Sequence, residues 1–442
     1  MLLVPNGEHD VLPWVEIPRW QRVAENLTTA VRGDWGQEVV CLFEPAIEPP
    51  AGCLTRYQAA EQLCRCGNPK LPTRWIPVPA LFQDSTNDAR DYAAIKQVAG
   101  VCNGVIQETG TGPFARLGWF CDLRDWIESV IEPMGFHVKG EFHQLNASDS
   151  FSLIRFETDG PAVWFKAVGE PNQREFAITC ALAPLFPGYV PQILATRPDW
   201  NGWLSRDAHG KLLSEVQEQA PWERTAAALA RLQVKSIDRG SQILCAGAHD
   251  LGPTVLSKLI QPFMSVVAQL MEGQTKVPPP VLDRKDLLAL ADSLQRALNA
   301  LEATGVPETL GHLDLNPGNI IVSDNRCVFL DWVEAYVGNP LFSLEYLLQH
   351  ASRAFRADAT VKARLVAAYC SQWDGVISRT AITGALAFVP LLAVFAHAVG
   401  NGAWAQSERL QEPRIAGYFR SLARRMHREA ESVADRGPLC LH

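Results

Sequence analysis

Residues 311–334 read GHLDLNPGNIIVSDNRCVFLDWVE. His312, Asp314 and Asn319 fall in an H-x-D-x-x-x-x-N spacing, and Asp331 closes an apolar run. The central NPGN continues neither a helix nor a strand, because Pro317 fixes its own φ and Gly318 permits a turn. Asp314 and Asn319 are therefore expected on a loop. NIIV and CVFLD, joined by the turn SDNR, read as a hairpin that returns Asp331 to the side of that loop. Oxygen ligands from Asn319 and Asp331 suit a hard cation such as Mg²⁺, which keeps its waters and bridges phosphates. Asp314 is left to take or orient a proton from a hydroxyl nucleophile. This layout fits phosphoryl transfer, where positioning and charge neutralisation carry most of the catalysis.

Such a site also needs a cation for the α and β phosphates of a nucleotide. Upstream, AVWFKAV (162–168) places Lys166 in an apolar strand, where an unpaired ammonium would be costly. Glu175, near the start of the helix REFAITCALAPLF, is the natural ion-pair partner; Glu170 is the runner-up and precedes the helix. Around Lys166 the pattern is strand-rich, with FSLIRFET, AVWFKAV, ILATRP and GWLSRDA. From about residue 213 it turns helical, through WERTAAALARLQVKSI, TVLSKLIQPFMSVVAQLM and DLLALADSLQRALNALEATG to an Arg-rich final helix. The order predicts an α+β protein of two lobes. GTGPFARLGW (110–119) marks a boundary, which gives three segments: 1–112, 113–207 and 208–442.

Composition narrows the function classes. The 442 residues carry a net charge of -8 and no long basic tract, so nucleic acid is not an expected partner. Apolar content of 47% is ordinary for a globular core. Eleven scattered cysteines form no disulfide framework, and Cys64 and Cys66 lack a second pair at zinc spacing. With no visible signal peptide, these thiols point to the cytoplasm. Residues 380–407 carry no charged side chain and are long enough for a bilayer, but Pro390, His397 and several glycines favour a buried helix pair. No membrane partner is expected.

With these residues in view, the chain resembles the aminoglycoside phosphotransferase and choline kinase superfamily, which has a protein-kinase-like fold. HLDLNPGN resembles the family's H-G-D-x-x-x-x-N loop, LDWVE its metal-binding strand, and VWFKAV the strand bearing its phosphate-binding Lys. The resemblance covers roughly 140–350 by motif, and the tail to about 430 by position. It implies a small strand-rich N-lobe over 113–207 and a helical C-lobe over 208–442; residues 1–112, outside the resemblance, read as an α/β accessory domain. The nucleotide loop is not G-x-G-x-x-G; NASDS stands there, and Ser148 and Ser150 are candidates beside the phosphates. LSRDA (204–208) would be the hinge that holds the adenine. Leu313 replaces the usual Gly and the Arg of protein kinases, and no A-P-E follows Asp331, which argues against a regulated protein kinase. Ser343 stands where the family often has a helix-anchoring Asp.

The first 45 residues faintly resemble a Nudix half-domain, but the helix offers only Glu25 where the metal box needs clustered Glu. Residues 341–442 hold twelve Lys and Arg against eight Asp and Glu, which leans away from a polycationic antibiotic. Tyr369, Trp373, Phe395 and Trp404 read as core rather than pocket lining. The expectation is an ATP- and Mg²⁺-dependent kinase of a small-molecule hydroxyl: antibiotic, sugar or amino alcohol. Asp314 is catalytic, Asn319 and Asp331 hold the metal, Lys166 and Glu175 serve the phosphates, and His312 braces the loop. The alternatives are a catalytically weak kinase-like binding or regulatory module and a protein kinase. The acceptor and the oligomeric state stay open.

Overall fold

The structure is a computed structural model that describes residues 2–6, 9–48, 55–66, 69–77, 89–104, 112–400 and 402–435. The expected boundary segment therefore begins, at residues 110 and 111, outside the described residues. The chain groups into two units, Met1–Phe176 with Gln192–Asp207, and Ala177–Pro191 with Ala208–His442. Residues 1–112 fall within the first of these units.

The first unit begins with strands β1 (Leu2–Asn6) and β2 (His9–Val11), helix α1 (Val23–Trp35), strands β3 (Gln37–Cys41), β4 (Ala60–Arg65) and β5 (Arg74–Trp75), and helix α2 (Ala89–Cys102). Helix α3 (Trp119–Ile131) follows, with Trp119, Leu123, Ile127 and Ile131 buried along one stripe at helical spacing. Its N-terminus is fixed from outside, where the Gly118 N–H donates to both carboxylate oxygens of Glu61 at 3.0 Å. Strands β6 (Val138–Ala147), β7 (Ser152–Thr158), β8 (Val163–Ala167), β9 (Ile193–Arg197) and β10 (Gly202–Arg206) form an antiparallel sheet in the order β6-β7-β8-β10-β9. Burial alternates along β7 and β8, as period-two side chains require. Phe114, Trp119, Phe156, Phe165 and Trp200 fill the core beneath it, joined by Val40 and Leu42 of the N-terminal segment. Buried Gln144 of β6 takes the place of a strand partner there. Its carbonyl accepts from Cys41 N–H at 2.7 Å, and its amide donates to the Cys41 carbonyl at 3.0 Å.

Helix α4 (Arg174–Leu185) starts in the first unit, and its residues from Ala177 onward belong to the second. The second unit continues with β11 (Lys211–Leu212), α5 (Gln219–Ser236), α6 (Gly240–Cys245), β12 (His249–Leu251), α7 (Pro253–Glu272) and α8 (Arg284–Ala303). Then come β13 (Thr309–His312), β14 (Ile320–Val322), β15 (Cys327–Phe329) and β16 (Ala335–Gly338). Helices α9 (Leu341–Ala354), α10 (Ala359–Cys370), α11 (Arg379–Ala385), α12 (Val389–Gly400), α13 (Ser407–Leu410) and α14 (Pro413–Asp435) complete it. The strands make two small sheets, β11-β14-β15 and β12-β16-β13. The uncharged 380–407 segment is broken into α11 and α12, bent by 65°. Phe395 of α12 and Trp404 contact Phe263 of α7 edge-on, with centroids 5.8 and 5.7 Å apart. Tyr369, Trp373, Phe395 and Trp404 are all buried, so they form core. By length and composition alone, α7 and the bent pair pass as possible membrane spans.

Candidate active site

The hairpin register explains how residues far apart in sequence meet. Val322 faces Cys327, Ile321 faces Val328 and Ile320 faces Phe329. One step further the ladder continues as a bond from Leu330 N–H to the Asn319 carbonyl at 2.8 Å, which sets Asp331 beside Asn319. Asp331 holds φ 64° and ψ 58°, in the left-handed region that a residue with a side chain rarely adopts. Strain of that kind collects where a side chain must be aimed.

The loop itself is tied by its own polar groups. Asn316 caps the turn Pro317–Asn319 by accepting from Gly318 N–H at 2.9 Å, and its amide donates to Asp314 Oδ1 at 3.1 Å. Asn319 Nδ2 donates to the Asp314 carbonyl at 3.0 Å and to Asp314 Oδ2 at 3.2 Å. Tyr346 of α9 donates to Asp314 Oδ1 at 3.4 Å. Burial, with the Asp314 charge beside it, pushes the Tyr346 phenol up to about 12, so it remains a donor at neutral pH. Both oxygens of Asp314 are thereby fixed. Because the Asn319 amide nitrogen is engaged with Asp314, the side-chain oxygen is the atom left for a cation. Among the described residues no cluster of three or more His, Cys, Asp and Glu suits a metal. The oxygens of Asn319 and Asp331 are of the kind that could serve a Mg²⁺ completed by water and phosphate.

His312 is fully buried at the head of this loop. Its Nδ1 accepts from Asp314 N–H at 3.1 Å, so the proton sits on Nε2, which donates to the Leu330 carbonyl at 2.9 Å. Burial pushes its pKa down, against the pull of the Leu330 carbonyl and of the Asp314 and Asp331 charges. A neutral imidazole thus ties loop to hairpin and has no free nitrogen for chemistry. Buried Ser343 on α9 accepts from His312 N–H at 2.8 Å and bonds Tyr336 Oη at 3.0 Å. The cap of α9 comes instead from Asn339, which accepts from Leu341 N–H at 3.0 Å. This answers the missing Asp at that position: a hydroxyl holds the loop and a neighbouring carboxamide caps the helix.

In the first unit, Lys166 Nζ donates to Glu175 Oε1 at 2.6 Å, with the side chains 16% and 2% exposed. The ammonium also lies 5.8 Å from the Trp203 ring and 6.0 Å from the Phe151 ring. Glu175 sits in the first turn of α4, where the helix dipole favours a carboxylate. Glu170 is exposed and lies ahead of the helix. Ser148 and Ser150 form the tight turn between β6 and β7. Ser148 N–H donates to the Phe151 carbonyl at 2.9 Å and Ser150 N–H to Ser148 Oγ at 3.2 Å. These two N–H groups therefore act within the turn. A Cβ at Gly169 would come within 2.5 Å of Ser150 Cβ, so only glycine lets this turn lie against β8's exit. Lys166, Glu175, Ser148 and Ser150 thus share one unit, and His312, Asp314, Asn319 and Asp331 share the other.

Residues 170–377 match the model of the phosphotransferase enzyme family. The matched stretch contains the loop and hairpin residues His312, Asp314, Asn319 and Asp331. The strand-rich first unit and mainly helical second unit agree with the expected α+β arrangement of two lobes. No curated protein matches the chain. Similar solved structures include a macrolide 2'-phosphotransferase from Brachybacterium faecium, 16% identical, covering 68% of this chain and 96% of that one with a TM-score of 0.44. A choline kinase from Cryptosporidium parvum Iowa II is 13% identical over 71% and 97% of the two chains, with a TM-score of 0.49. A choline/ethanolamine kinase family protein from Mesorhizobium loti is 15% identical over 72% and 95%, with a TM-score of 0.46.

Sequence reasoning missed Asn316, Tyr346 and the anchoring role of Ser343. For Asn316 a signal existed, since Asn before Pro-Gly is a favoured side-chain turn former. Tyr346, within the apolar run LEYLL, had none.

Proposed function

We propose that the chain transfers the γ-phosphoryl group of ATP to a hydroxyl of a small molecule. The observation that carries this reading is the fixed Asp314 carboxylate, held by Asn316, Asn319 and Tyr346 at the head of a hairpin that brings Asp331 alongside. Asp314 orients the acceptor hydroxyl and takes its proton as the new phosphate ester bond forms and the bond to the departing ADP breaks. Asn319 and Asp331 would hold Mg²⁺, which would supply positive charge against the phosphates. Lys166, kept in place by Glu175, would carry the α and β phosphates. His312 positions the loop and exchanges no proton. The cytoplasm, with reduced thiols, is the compartment that suits these cysteines.

Asp314→Ala tests the reading. Phosphoryl transfer should fall by at least about a hundredfold, the scale of a lost positioned base, while MgATP still raises the melting temperature. Full activity in that variant would remove Asp314 from the mechanism.

A further inference from the structure

Beside the loop, the second unit carries an open cleft of about 590 Å³. Its lining includes Gln217, Trp222, Asn316, His350, Arg353 and Phe355. Asn316 is the link to chemistry, because the same side chain donates to Asp314 Oδ1 at 3.1 Å. A molecule in the cleft therefore lies one residue from the carboxylate that serves the hydroxyl. His350 adds a second link through its ring contact with Tyr346, 5.2 Å between centroids, and Tyr346 also donates to Asp314.

The lining has a definite sign. It contains no carboxylate, and Arg353 stands at its rim, exposed and without an ion-pair partner among the described residues. His350 supplies a further nitrogen from the preceding turn of α9. Half-buried Phe355, held edge-to-face at 5.6 Å by the buried Trp222 ring, gives an apolar contact for a carbon skeleton. A guanidinium that shares its lining with no carboxylate is suited to an anion, with Asp314 left to face the hydroxyl.

We propose that this cleft is the acceptor subsite, and that the acceptor is an alcohol bearing a carboxylate, a sugar acid or hydroxy acid, whose anion is held by Arg353 and His350. The proposal rests on the phosphotransferase reading above and names its substrate class.

The test uses the full-length protein with MgATP and matched alcohols: D-glucuronate, D-glucose and D-glucosamine, then glycerate and glycerol. ADP release and the phosphate ester are followed together. The acid of each set should be phosphorylated with kcat/KM about tenfold or more above its neutral match, the worth of one charged hydrogen bond. Arg353→Ala should raise the KM for the acid about tenfold to a hundredfold and bring the acid-to-neutral ratio towards one. Arg353→Lys should keep part of the preference, which a purely structural role at this exposed position would not predict. The proposal is overturned if no acid is phosphorylated, if glucose or glucosamine is preferred, or if the preference survives Arg353→Ala. Absence of a MgATP-induced thermal shift would sink the phosphotransferase reading instead, so the two failures are distinct.

Discussion

Replacing His312 by Gln probes the joint between loop and hairpin. The Gln amide can still donate to the Leu330 carbonyl, as His312 Nε2 does at 2.9 Å. It cannot place an acceptor where Nδ1 receives the Asp314 N–H at 3.1 Å, nor reproduce the ring contact with Trp332 at 4.9 Å. An orphaned buried donor costs about 1–3 kcal/mol, and the lost ring packing brings the total to about 2–4 kcal/mol. For a unit of this size that is a fall of about 4–16 °C in melting temperature. The pH dependence makes the test specific. Burial holds the folded His312 pKa below its ordinary value of 6.5, so the unfolded chain binds a proton that the folded chain refuses. The stability that this neutral imidazole provides is fully present above pH 6.5 and is lost as pH falls towards the folded pKa. The loss approaches about 1.4 kcal/mol per pH unit. Gln does not titrate, so the stability gap between the two proteins should narrow from pH 8 to pH 5. His350 and His397, whose pKa values burial also lowers, remain in both proteins and cancel in the difference. Thermal unfolding across that range measures the gap. A gap that stays constant, or a variant as stable as the parent, would refute a buried neutral imidazole with both nitrogens engaged.

Ser343→Ala removes the acceptor for His312 N–H while Tyr336 keeps its bond to the Asn339 carbonyl, so one buried donor is orphaned. A melting temperature lower by about 2–12 °C is expected, with kcat reduced more than the KM for ATP; an unchanged melting temperature would show that the hydroxyl anchors nothing. Glu175→Ala strips the carboxylate from Lys166 in a largely dry site and should destabilise by about 3–5 kcal/mol. The double variant Lys166→Met with Glu175→Leu should recover most of that stability and still lack the MgATP-induced thermal shift. A shift that survives in the double variant would take Lys166 out of nucleotide binding.

What the sequence disclosed and what it hid divide along a physical line. A proline and glycine between two apolar runs announce a break and a hairpin, and hairpin register alone then sets Asp331 beside Asn319. Lys166 was legible because an ammonium in an apolar strand demands a counter-charge, and the nearest helix start offered Glu175. The strands Thr309–His312 and Ala335–Gly338 were not legible, since four residues buried on both faces show no alternation. Yet that pair carries the site: it delivers His312 to Leu330 and Tyr336 to Ser343, and a Cβ on Gly311 would fall within 2.0 Å of the Tyr336 ring. Polar replacements were hidden for a different reason. Gln144 in place of a strand partner, and Ser343 with Asn339 in place of one Asp, are solutions that only three-dimensional pairing distinguishes from surface residues. Local chemistry that breaks or charges the chain is thus readable residue by residue. Chemistry that satisfies buried groups depends on which partner arrives, and the residue that completes Asp314, Tyr346, arrives from a helix whose apolar pattern says only that it is buried.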